Sequence, residues 1–204
     1  MKKGYHHGNL RQALVDAALA LIAAQGPNGF TLSEAAKAAD VTPAAVYRHF
    51  AGREDLIAEV ARQGFDIFAA LMEFAYAGGQ PSALAAFEAT GRAYLAFARK
   101  YPGHYMAMFE SGLSLAAHPQ VAEVALRAKA VQERAAAGLA AQLPEGRRPP
   151  AAMFSAHVWA MSHGVVELFM RGHNRSPFPP EDLLETGIGI YLRGLGLLAP
   201  DGQK

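Results

Sequence analysis

The stretch FTLSEAAKAADVTPAAVYRHF, residues 30–50, contains the signals that decide the fold of the N-terminal part of the chain. Thr31 is followed three residues later by Glu34, which is the pattern of a capping box at a helix start. Phe30 stands immediately before the cap, in the position of a hydrophobic staple. We therefore predict a short helix over about residues 32–39.

A second helix start follows within the same stretch. Asp40 is a residue type that tolerates left-handed backbone, so a tight turn is expected there. Thr42 and Pro43 fit the N-cap and the first position of another helix, because the N–H that proline lacks would have no partner there. This helix is predicted to continue to Phe50.

An amphipathic helix is predicted before these two, over residues 10–25. Its apolar side chains, spaced as on one helix face, are Leu10, Leu14, Ala17, Ala18, Leu21 and Ile22. The run Gly26-Pro27-Asn28-Gly29 ends it. Three helices within about 50 residues, the last two short and joined by a tight turn, form a helix-turn-helix.

The third helix is the predicted recognition helix, which would enter the major groove of DNA. A helix of about eight residues is not stable alone, so Val41, Val46 and Phe50 are expected to dock it. The residues left facing outward are Thr42, Ala44, Ala45, Tyr47, Arg48 and His49. Hydroxyl, guanidinium and imidazole groups suit phosphates and base edges, although Tyr47 or His49 taken singly is as often an ordinary half-buried residue.

Composition limits the class of protein. Of the 204 residues, 51% are hydrophobic, alanine and leucine dominate, and no period-2 alternation is visible, so we predict an all-α protein. The absence of cysteine excludes disulfides, thiolate zinc sites and cysteine nucleophiles. A net charge of +1 argues against a nonspecific polycation. Because neither a secretory signal nor an apolar run of about 18 residues is visible, a cytoplasmic protein without a membrane partner is expected.

Two domains are predicted. Residues 1–52 form the helix-turn-helix domain, and residues 53–204 form a helical bundle for effector binding and dimerisation. Proline and glycine breaks divide the second domain into predicted helices at 53–76, 81–100, 102–116, 119–142, 151–172 and 180–198.

Aromatic and methionine residues are frequent in the second domain. Core packing explains most of them singly, but as a set they are also suited to an apolar effector cavity. The residues predicted to line such a pocket are Phe68, Met72, Tyr94, Tyr105, Phe109, Trp159 and His163.

The last predicted helix is rich in glycine, at Gly187, Gly189, Gly194 and Gly196. Each interior glycine costs about 1 kcal/mol relative to alanine, so we expect a compensating close approach of another helix. Together with the helix at 151–172, this helix would form a four-helix interface between two identical chains. Its predicted contact residues are Leu184, Gly187, Ile188, Tyr191 and Leu195. The alternative is ordinary burial within one chain.

The N-terminal stretch resembles a known family. The runs FTL (30–32), AA (35–36), VTPAAVYRHF (41–50) and REDL (53–56) resemble the DNA-binding domain of TetR-family regulators, over residues 8–57. The resemblance implies phosphate contacts by Thr31, Thr42, Tyr47 and His49, base proximity for Ala44, Ala45 and Arg48, and a grip on the DNA backbone by Arg53. Asp40 stands where the family usually has glycine, and Arg53 where it usually has lysine.

WAMSHG, residues 159–164, resembles the Trp, His and Gly signature of a C-terminal TetR subfamily. His163 lies one turn beyond Trp159, so the pair either faces a pocket or includes a hydrogen-bonded structural histidine. The polar N-terminal arm, with Lys2, Lys3, Tyr5, His6 and His7, either contacts DNA or is a frayed terminus.

The expected function is sequence-specific transcription regulation, by a ligand-responsive homodimeric repressor on a palindromic DNA operator. No cofactor or metal is expected, because His157 and His163 lack the i, i+4 spacing of helical ligands. No nucleophile elbow, phosphate loop or paired-carboxylate setting indicates an enzyme. Two alternatives stay open: a helical hydrolase that uses histidines, and an architectural or protein-binding module without sequence preference.

Overall fold

The computed structural model describes residues 10–171 and 176–199. No strand occurs within these residues, and the all-α prediction is confirmed. The α-helices are α1 (Leu10–Gln25), α2 (Leu32–Ala38), α3 (Pro43–Val46), α4 (Arg53–Gly79), α5 (Ala83–Lys100), α6 (Pro102–Phe109), α7 (Pro119–Ala140), α8 (Ala151–Val165) and α9 (Pro180–Leu195). A 3₁₀ turn at Glu145–Arg147 precedes α8, and a π-helical turn at Val166–Met170 follows it. Among the helices in these two ranges, none is long and apolar enough to cross a membrane.

The two predicted helix caps differ in their hydrogen bonds. The backbone N–H of Glu34 donates to Thr31 Oγ1 over 3.2 Å, and the Glu34 carboxylate accepts from the Thr31 N–H over 2.7 Å, so the capping box is confirmed. Hydrogen bonds from the Thr31 side chain and backbone lower the pKa of Glu34. Thr42 has the extended backbone of an N-cap, but its side chain makes no capping hydrogen bond to a described residue.

Helix α3 is shorter than predicted. Regular helix covers only Pro43–Val46, and turns continue the segment until Phe50. The N–H groups of His49 and Phe50 both donate to the Val46 carbonyl, over 2.9 and 3.0 Å. The preceding turn has the predicted left-handed residue, with φ of 56° at Asp40. Because one helical turn has few hydrogen bonds of its own, tertiary contacts must hold this segment.

Several later helix ends were predicted wrongly. Helix α6 ends at Phe109, about two turns early, and Gly112 beyond it has a left-handed φ of 72°. The helix predicted over 151–172 changes from α8 into the π-helical turn. Helix α9 ends at Leu195 because Gly196, with φ of 79°, forms its C-terminal cap. Gly196 is therefore a capping residue and not an interior glycine.

The chain forms two compact units. The first contains the described residues up to Ile67 together with Tyr101–Ala125. Its buried side chains include Leu14, Ala18, Ile22, Ala35, Val46, Phe50, Leu56 and Val60. Helix α6 packs closely on α1, because a Cβ built on Gly103 would lie 2.8 Å from Leu19 Cδ1. The predicted boundary between residues 52 and 53 separates DNA binding from effector binding and dimerisation. The packing of the two units does not test that separation of roles, so it stays a prediction.

The second unit contains Phe68–Lys100 and the described residues from Leu126 onward. One buried cluster in it includes Phe87, Leu139, Phe154 and Leu192. A second cluster is aromatic, with the Phe68 ring 5.4 Å from that of Tyr94 and 5.0 Å from that of Phe97. These clusters make the second unit a helical bundle with its own core.

Candidate nucleic-acid interface

Two buried side chains anchor the recognition segment, which we define as residues 42–50. Val46 is fully buried and Phe50 is 1% exposed, while Val41, the third predicted anchor, is half-buried. Val46 and Phe50 are four residues apart and therefore lie on the same side of the segment. The opposite side consequently faces outward from the first unit.

The outward side carries most of the predicted DNA-binding residues. Tyr47 is 62% exposed, and Thr42, Ala44 and Arg48 are exposed as well. The other two predicted residues of the segment, Ala45 and His49, are half-buried. A phenol, a guanidinium and a hydroxyl thus share one surface with small side chains between them, which suits contact with phosphates and base edges.

Thr31 and Arg53 lie outside the segment and have partners in the first unit. Thr31 is exposed, and its hydroxyl donates to the Glu34 carboxylate over 2.8 Å. Arg53 is half-buried, and its guanidinium donates to the Pro27 carbonyl over 3.2 Å and to Asn28 Oδ1 over 3.3 Å. Arg53 therefore ties the start of α4 to the loop after α1. Contact of these two residues with DNA stays a prediction.

Arg11 contacts the recognition segment, although no pattern in the sequence indicated a role for it. Its Nη1 donates to the His49 carbonyl over 2.9 Å, and its Nη2 donates to the Glu59 carboxylate over 3.2 Å. Its Cζ also lies 4.5 Å from the centre of the Phe50 ring. His49 and Glu59 are 38 and 48 residues away along the chain, so no local spacing could have indicated these contacts.

The predicted effector residues are divided between the two units. Tyr105 and Phe109 belong to the first unit, where their ring centres are 4.8 Å apart. The others, in the second unit, are Phe68, Met72, Tyr94, Trp159 and His163. The Tyr94 hydroxyl lies 2.9 Å from His163 Nδ1, so His163 is a hydrogen-bonded histidine, as one of the two alternatives predicted.

The second unit also contains a cavity that the sequence did not indicate. It measures about 290 Å³ and lies between α5, α8 and α9. Apolar residues in its wall include Phe87, Leu95, Val158, Leu184, Ile188 and Leu192. A much smaller space, of about 10 Å³, adjoins Tyr94. The described lining of the larger cavity includes none of the seven predicted effector residues.

Most of the predicted dimer-interface residues on α9 face their own unit. Leu184 is 4% exposed, which leaves little of it to contact a second chain. Ile188, Tyr191 and Leu195 pack against the cluster that contains Phe154. Most of the face predicted to meet a second chain is therefore occupied within the chain.

A different face of α9 is open. Gly187, Ile190 and Gly194 share this face at i, i+3 and i+7, and Ile190 is 61% exposed. A Cβ built on Gly187 would make only an ordinary contact, 3.8 Å from Met161 Sδ. A Cβ built on Gly194 would have no described atom within 4 Å. Packing within the described chain therefore does not explain these two glycines.

The N-terminal arm, with Lys2, Lys3, Tyr5, His6 and His7, lies outside the described residues. Its proposed DNA contacts stay a prediction.

Helices α1, α2 and α3 are joined by short connections, and the recognition segment begins with the third of them. The segment is anchored by buried residues and exposes Tyr47 and Arg48. This arrangement defines a DNA-binding protein of the helix-turn-helix class. Residues 14–60 match the family described as "Bacterial regulatory proteins, tetR family". Residues 87–191 match "Tetracyclin repressor-like, C-terminal domain". The chain belongs to the TetR family. Members of this family are DNA-binding transcription regulators, usually repressors, that act as dimers with small-molecule effectors.

One curated relative resembles a short part of the chain. The HTH-type transcriptional regulator AcrR of Shigella flexneri is 46% identical over 50 residues. That match spans 24% of this chain and 23% of AcrR, so it covers less than a quarter of the relative's length.

Two solved structures resemble nearly the whole chain. A protein of unknown function from a Rhodococcus species has a TM-score of 0.78 and 27% identity, covering 95% of this chain and 98% of that one. The TetR family transcriptional regulator PfmR from Thermus thermophilus has a TM-score of 0.70 over 88% of this chain and 97% of its own. At 17% identity, the likeness to PfmR concerns the fold alone.

Proposed function

We propose that this protein is a ligand-responsive repressor that binds a palindromic operator as a homodimer. The observation that carries the proposal is the exposure of Tyr47 and Arg48 on a segment anchored by buried Val46 and Phe50. Two copies of the segment would enter successive major grooves about 34 to 36 Å apart. Residues 1–52 would bind DNA, and residues 53–204 would bind the effector and the second chain.

The proposed DNA contacts follow the chemistry of the outward face. Phosphates would be contacted by Thr31, Thr42, Tyr47 and His49, and bases by Ala44, Ala45 and Arg48. Arg53 directs two of its five guanidinium donors at Pro27 and Asn28, and a remaining donor would contact the DNA backbone. Arg48 is the residue proposed to carry sequence preference, because a guanidinium pairs with two acceptors of guanine.

The proposed dimer interface lies on the open face of α9 and on α8. Ile190 on α9 is 61% exposed and Met153 on α8 is 56% exposed. Exposed apolar side chains on neighbouring helices are typical of protein interfaces. Gly187 and Gly194 would let a helix of the second chain approach closely. Of the interface residues predicted from the sequence, Gly187 lies on this open face, whereas Ile188, Tyr191 and Leu195 pack against the cluster of their own unit.

Two places in the second unit suit an effector. The Tyr94 hydroxyl and the His163 imidazole lie 2.9 Å apart, and Trp159 stands one helical turn before His163. The described space beside Tyr94 is only about 10 Å³, so an effector there would have to enlarge it. The cavity of about 290 Å³ between α5, α8 and α9 is already present. An effector that binds more tightly to one separation of the two recognition segments would change DNA affinity by that difference.

Selection from a random duplex library, followed by footprinting of the recovered DNA, tests the operator proposal. We expect the wild-type protein to recover a palindrome and to protect two half-sites about one helical turn apart. Recovery of sequences without a shared motif, at low salt, would contradict the proposal and favour a module without sequence preference.

A thermal-shift screen of small metabolites tests the effector proposal. A ligand at about 100 times its dissociation constant stabilises the folded protein by about 2.7 kcal/mol. Each hit is repeated on Tyr94→Phe, which removes the hydroxyl beside His163, and on Ile188→Trp, which fills the cavity. The variant in which a ligand no longer raises the melting temperature identifies the effector site. Ligands that leave operator binding unchanged would contradict a role as effectors.

A further inference from the structure

Arg11 connects three parts of the first unit through one guanidinium. It is the second residue of α1, and its side chain is 50% exposed. One nitrogen donates to the His49 carbonyl, the other donates to Glu59 on α4, and the plane covers the Phe50 ring. His49 and Phe50 are the last two residues of the recognition segment. Arg11 therefore contacts the recognition segment beyond Val46, where the regular helix of the segment has already ended.

Glu59 is held firmly as the partner of Arg11. Its side chain is 12% exposed. It also accepts from Arg62 Nε and Nη2, over 3.1 and 2.8 Å, and from Gln63 Nε2 over 3.0 Å. Burial alone would raise the pKa of Glu59, but the hydrogen bonds of Arg62 and Gln63 and the charges of Arg62 and Arg11 lower it to about 2. The carboxylate consequently stays ionised throughout the pH range of a binding experiment.

A second polar contact joins α1 to α4 beside Arg11. Gln12, the next residue of α1, exchanges hydrogen bonds with Gln63 on α4 over 3.1 and 3.4 Å. Arg11 and Glu59 are thus brought together by two helices that are already bonded to each other. The remaining hydrogen-bond partner of Arg11, the His49 carbonyl, belongs to the recognition segment.

We infer that Arg11 is a positioning residue for DNA recognition: it sets the angle at which the recognition segment leaves the first unit. Buried Val46 and Phe50 fix the depth of the segment, but apolar contacts are not directional. A guanidinium has planar, fixed donor directions, so its bond to the His49 carbonyl adds orientation. Since His49 follows Tyr47 and Arg48 directly, a rotation at this end would move both side chains.

The partners of Arg11 within the first unit favour positioning over direct contact with DNA. Both terminal nitrogens of Arg11 already donate within the unit, and the aromatic ring covers one face of the guanidinium. These partners use two of the five guanidinium N–H donors, so contact of a remaining donor with a phosphate is the alternative that the salt dependence tests. The role rests on the proposed function, because it concerns the same DNA-binding face.

The chain offers a matched control in Arg134 of the second unit. Its Nη2 donates to Glu73 over 2.5 Å, its Cζ lies 4.8 Å from the Tyr76 ring, and its side chain is 47% exposed. Arg134 therefore has the same kind of carboxylate and ring partners as Arg11 but has no backbone carbonyl of the recognition segment among them. Arg134→Gln removes a comparable set of side-chain contacts.

The experiment compares full-length wild type, Arg11→Gln, Arg11→Lys and Arg134→Gln on the duplex recovered by wild type from the random library. Dissociation constants are measured by fluorescence anisotropy at several salt concentrations, and melting midpoints are measured in parallel. We expect Arg11→Gln to weaken binding about tenfold or more, because a misaligned base contact loses its discrimination. Arg11→Lys should fall between it and wild type, and Arg134→Gln should bind as wild type does.

The salt dependence separates positioning from contact. Each lost phosphate contact reduces the slope of log K against log salt by about 0.9, so Arg11→Gln should leave the slope unchanged. A reduced slope would overturn the inference in favour of direct contact, and unchanged affinity would overturn it outright. A loss that follows only the unfolded fraction would also overturn it. If Arg11→Gln does not fold, Arg11→Lys decides by affinity: binding equal to that of wild type would overturn the inference, because lysine can replace a phosphate contact but not the planar donor geometry. Failure of wild type to recover any duplex would instead refute the proposed function.

Discussion

The recognition segment and helix α9 differ in where their stability comes from. The segment has one regular helical turn and depends on Val46, Phe50 and Arg11 for its position. Helix α9 runs from Pro180 to Leu195 and already packs its inner face within its own unit. The segment shows an outward polar face, whereas α9 shows an outward apolar face with glycines.

This difference bears on how each region serves its role. A short segment that is held at fixed points can present side chains in one orientation to a rigid partner such as DNA. A long helix with an apolar outer face is incomplete until something covers that face. The segment should therefore be sensitive to loss of its anchors, and α9 to changes on its surface.

The largest effect is expected from Phe50→Ala, which removes an anchor of the recognition segment. Truncation of a buried phenylalanine costs about 3–5 kcal/mol of unfolding free energy. Chemical denaturation monitored by circular dichroism measures it. Tyr47→Ala is the control in the same segment, and because Tyr47 is 62% exposed it should change stability by less than about 0.5 kcal/mol. Equal losses for the two variants would contradict the anchor assignment.

A smaller effect is expected from Ile190→Glu on the open face of α9. If that face meets a second chain, each dimer would bury two new charges, and the dimer dissociation constant should rise at least about tenfold, or 1.4 kcal/mol. Sedimentation velocity at several concentrations measures it. Leu126→Glu on α7, at a side chain 64% exposed, is the control. A dimer that both variants leave intact would place the interface elsewhere.

In the unit that contains the recognition segment, His104 should make stability depend on pH. Burial lowers the pKa of His104 from 6.5, and the charge of Asp16 opposes this only in part. The unfolded chain therefore binds a proton at higher pH than the folded chain does, so stability is lost as pH falls below about 6.5. Melting midpoints between pH 8 and 5 measure the loss. His104→Phe should flatten that part of the profile. A slope unchanged in His104→Phe would refute the assignment.

The smallest effect is expected at the turn before the recognition segment. Asp40 has a φ of 56°, a region that glycine occupies without steric cost. Asp40→Gly should stabilise the protein by up to about 1 kcal/mol, and Asp40→Ala should destabilise it by a similar amount. Denaturant midpoints of the two variants measure the difference. Stabilisation by alanine would show that the turn relaxes away from this conformation.

Local signals in the sequence predicted the N-terminal region well. The capping box of Thr31 and Glu34, the turn at Asp40 and the anchors Val46 and Phe50 all depend on residues within one or two helical turns of each other. The end of α3 was predicted too late, because nothing local shows that the helix loses regularity after Val46. Arg11 was missed because its partners become neighbours only in the folded chain.

The C-terminal region was harder to predict for the same physical reason. The apolar residues of α9 were visible in the sequence, but which face turns inward depends on contacts with distant residues such as Phe154. Gly196 was predicted to lie inside the last helix, but it forms the C-terminal cap of α9. Tyr105 and Phe109 could not be assigned to a different unit from Tyr94 on residue type alone. A pattern of apolar residues identifies a buried face without identifying what buries it.

The most direct test of the account is the base preference of Arg48→Ala and Tyr47→Ala on the recovered operator and its single-base variants. At fixed salt, Arg48→Ala should lose about 1–3 kcal/mol of discrimination at one position of each half-site. Tyr47→Ala should weaken binding to all variants alike, as loss of a phosphate contact does. If both proteins kept the affinities and the preferences of wild type, the recognition segment would not be the surface that reads DNA.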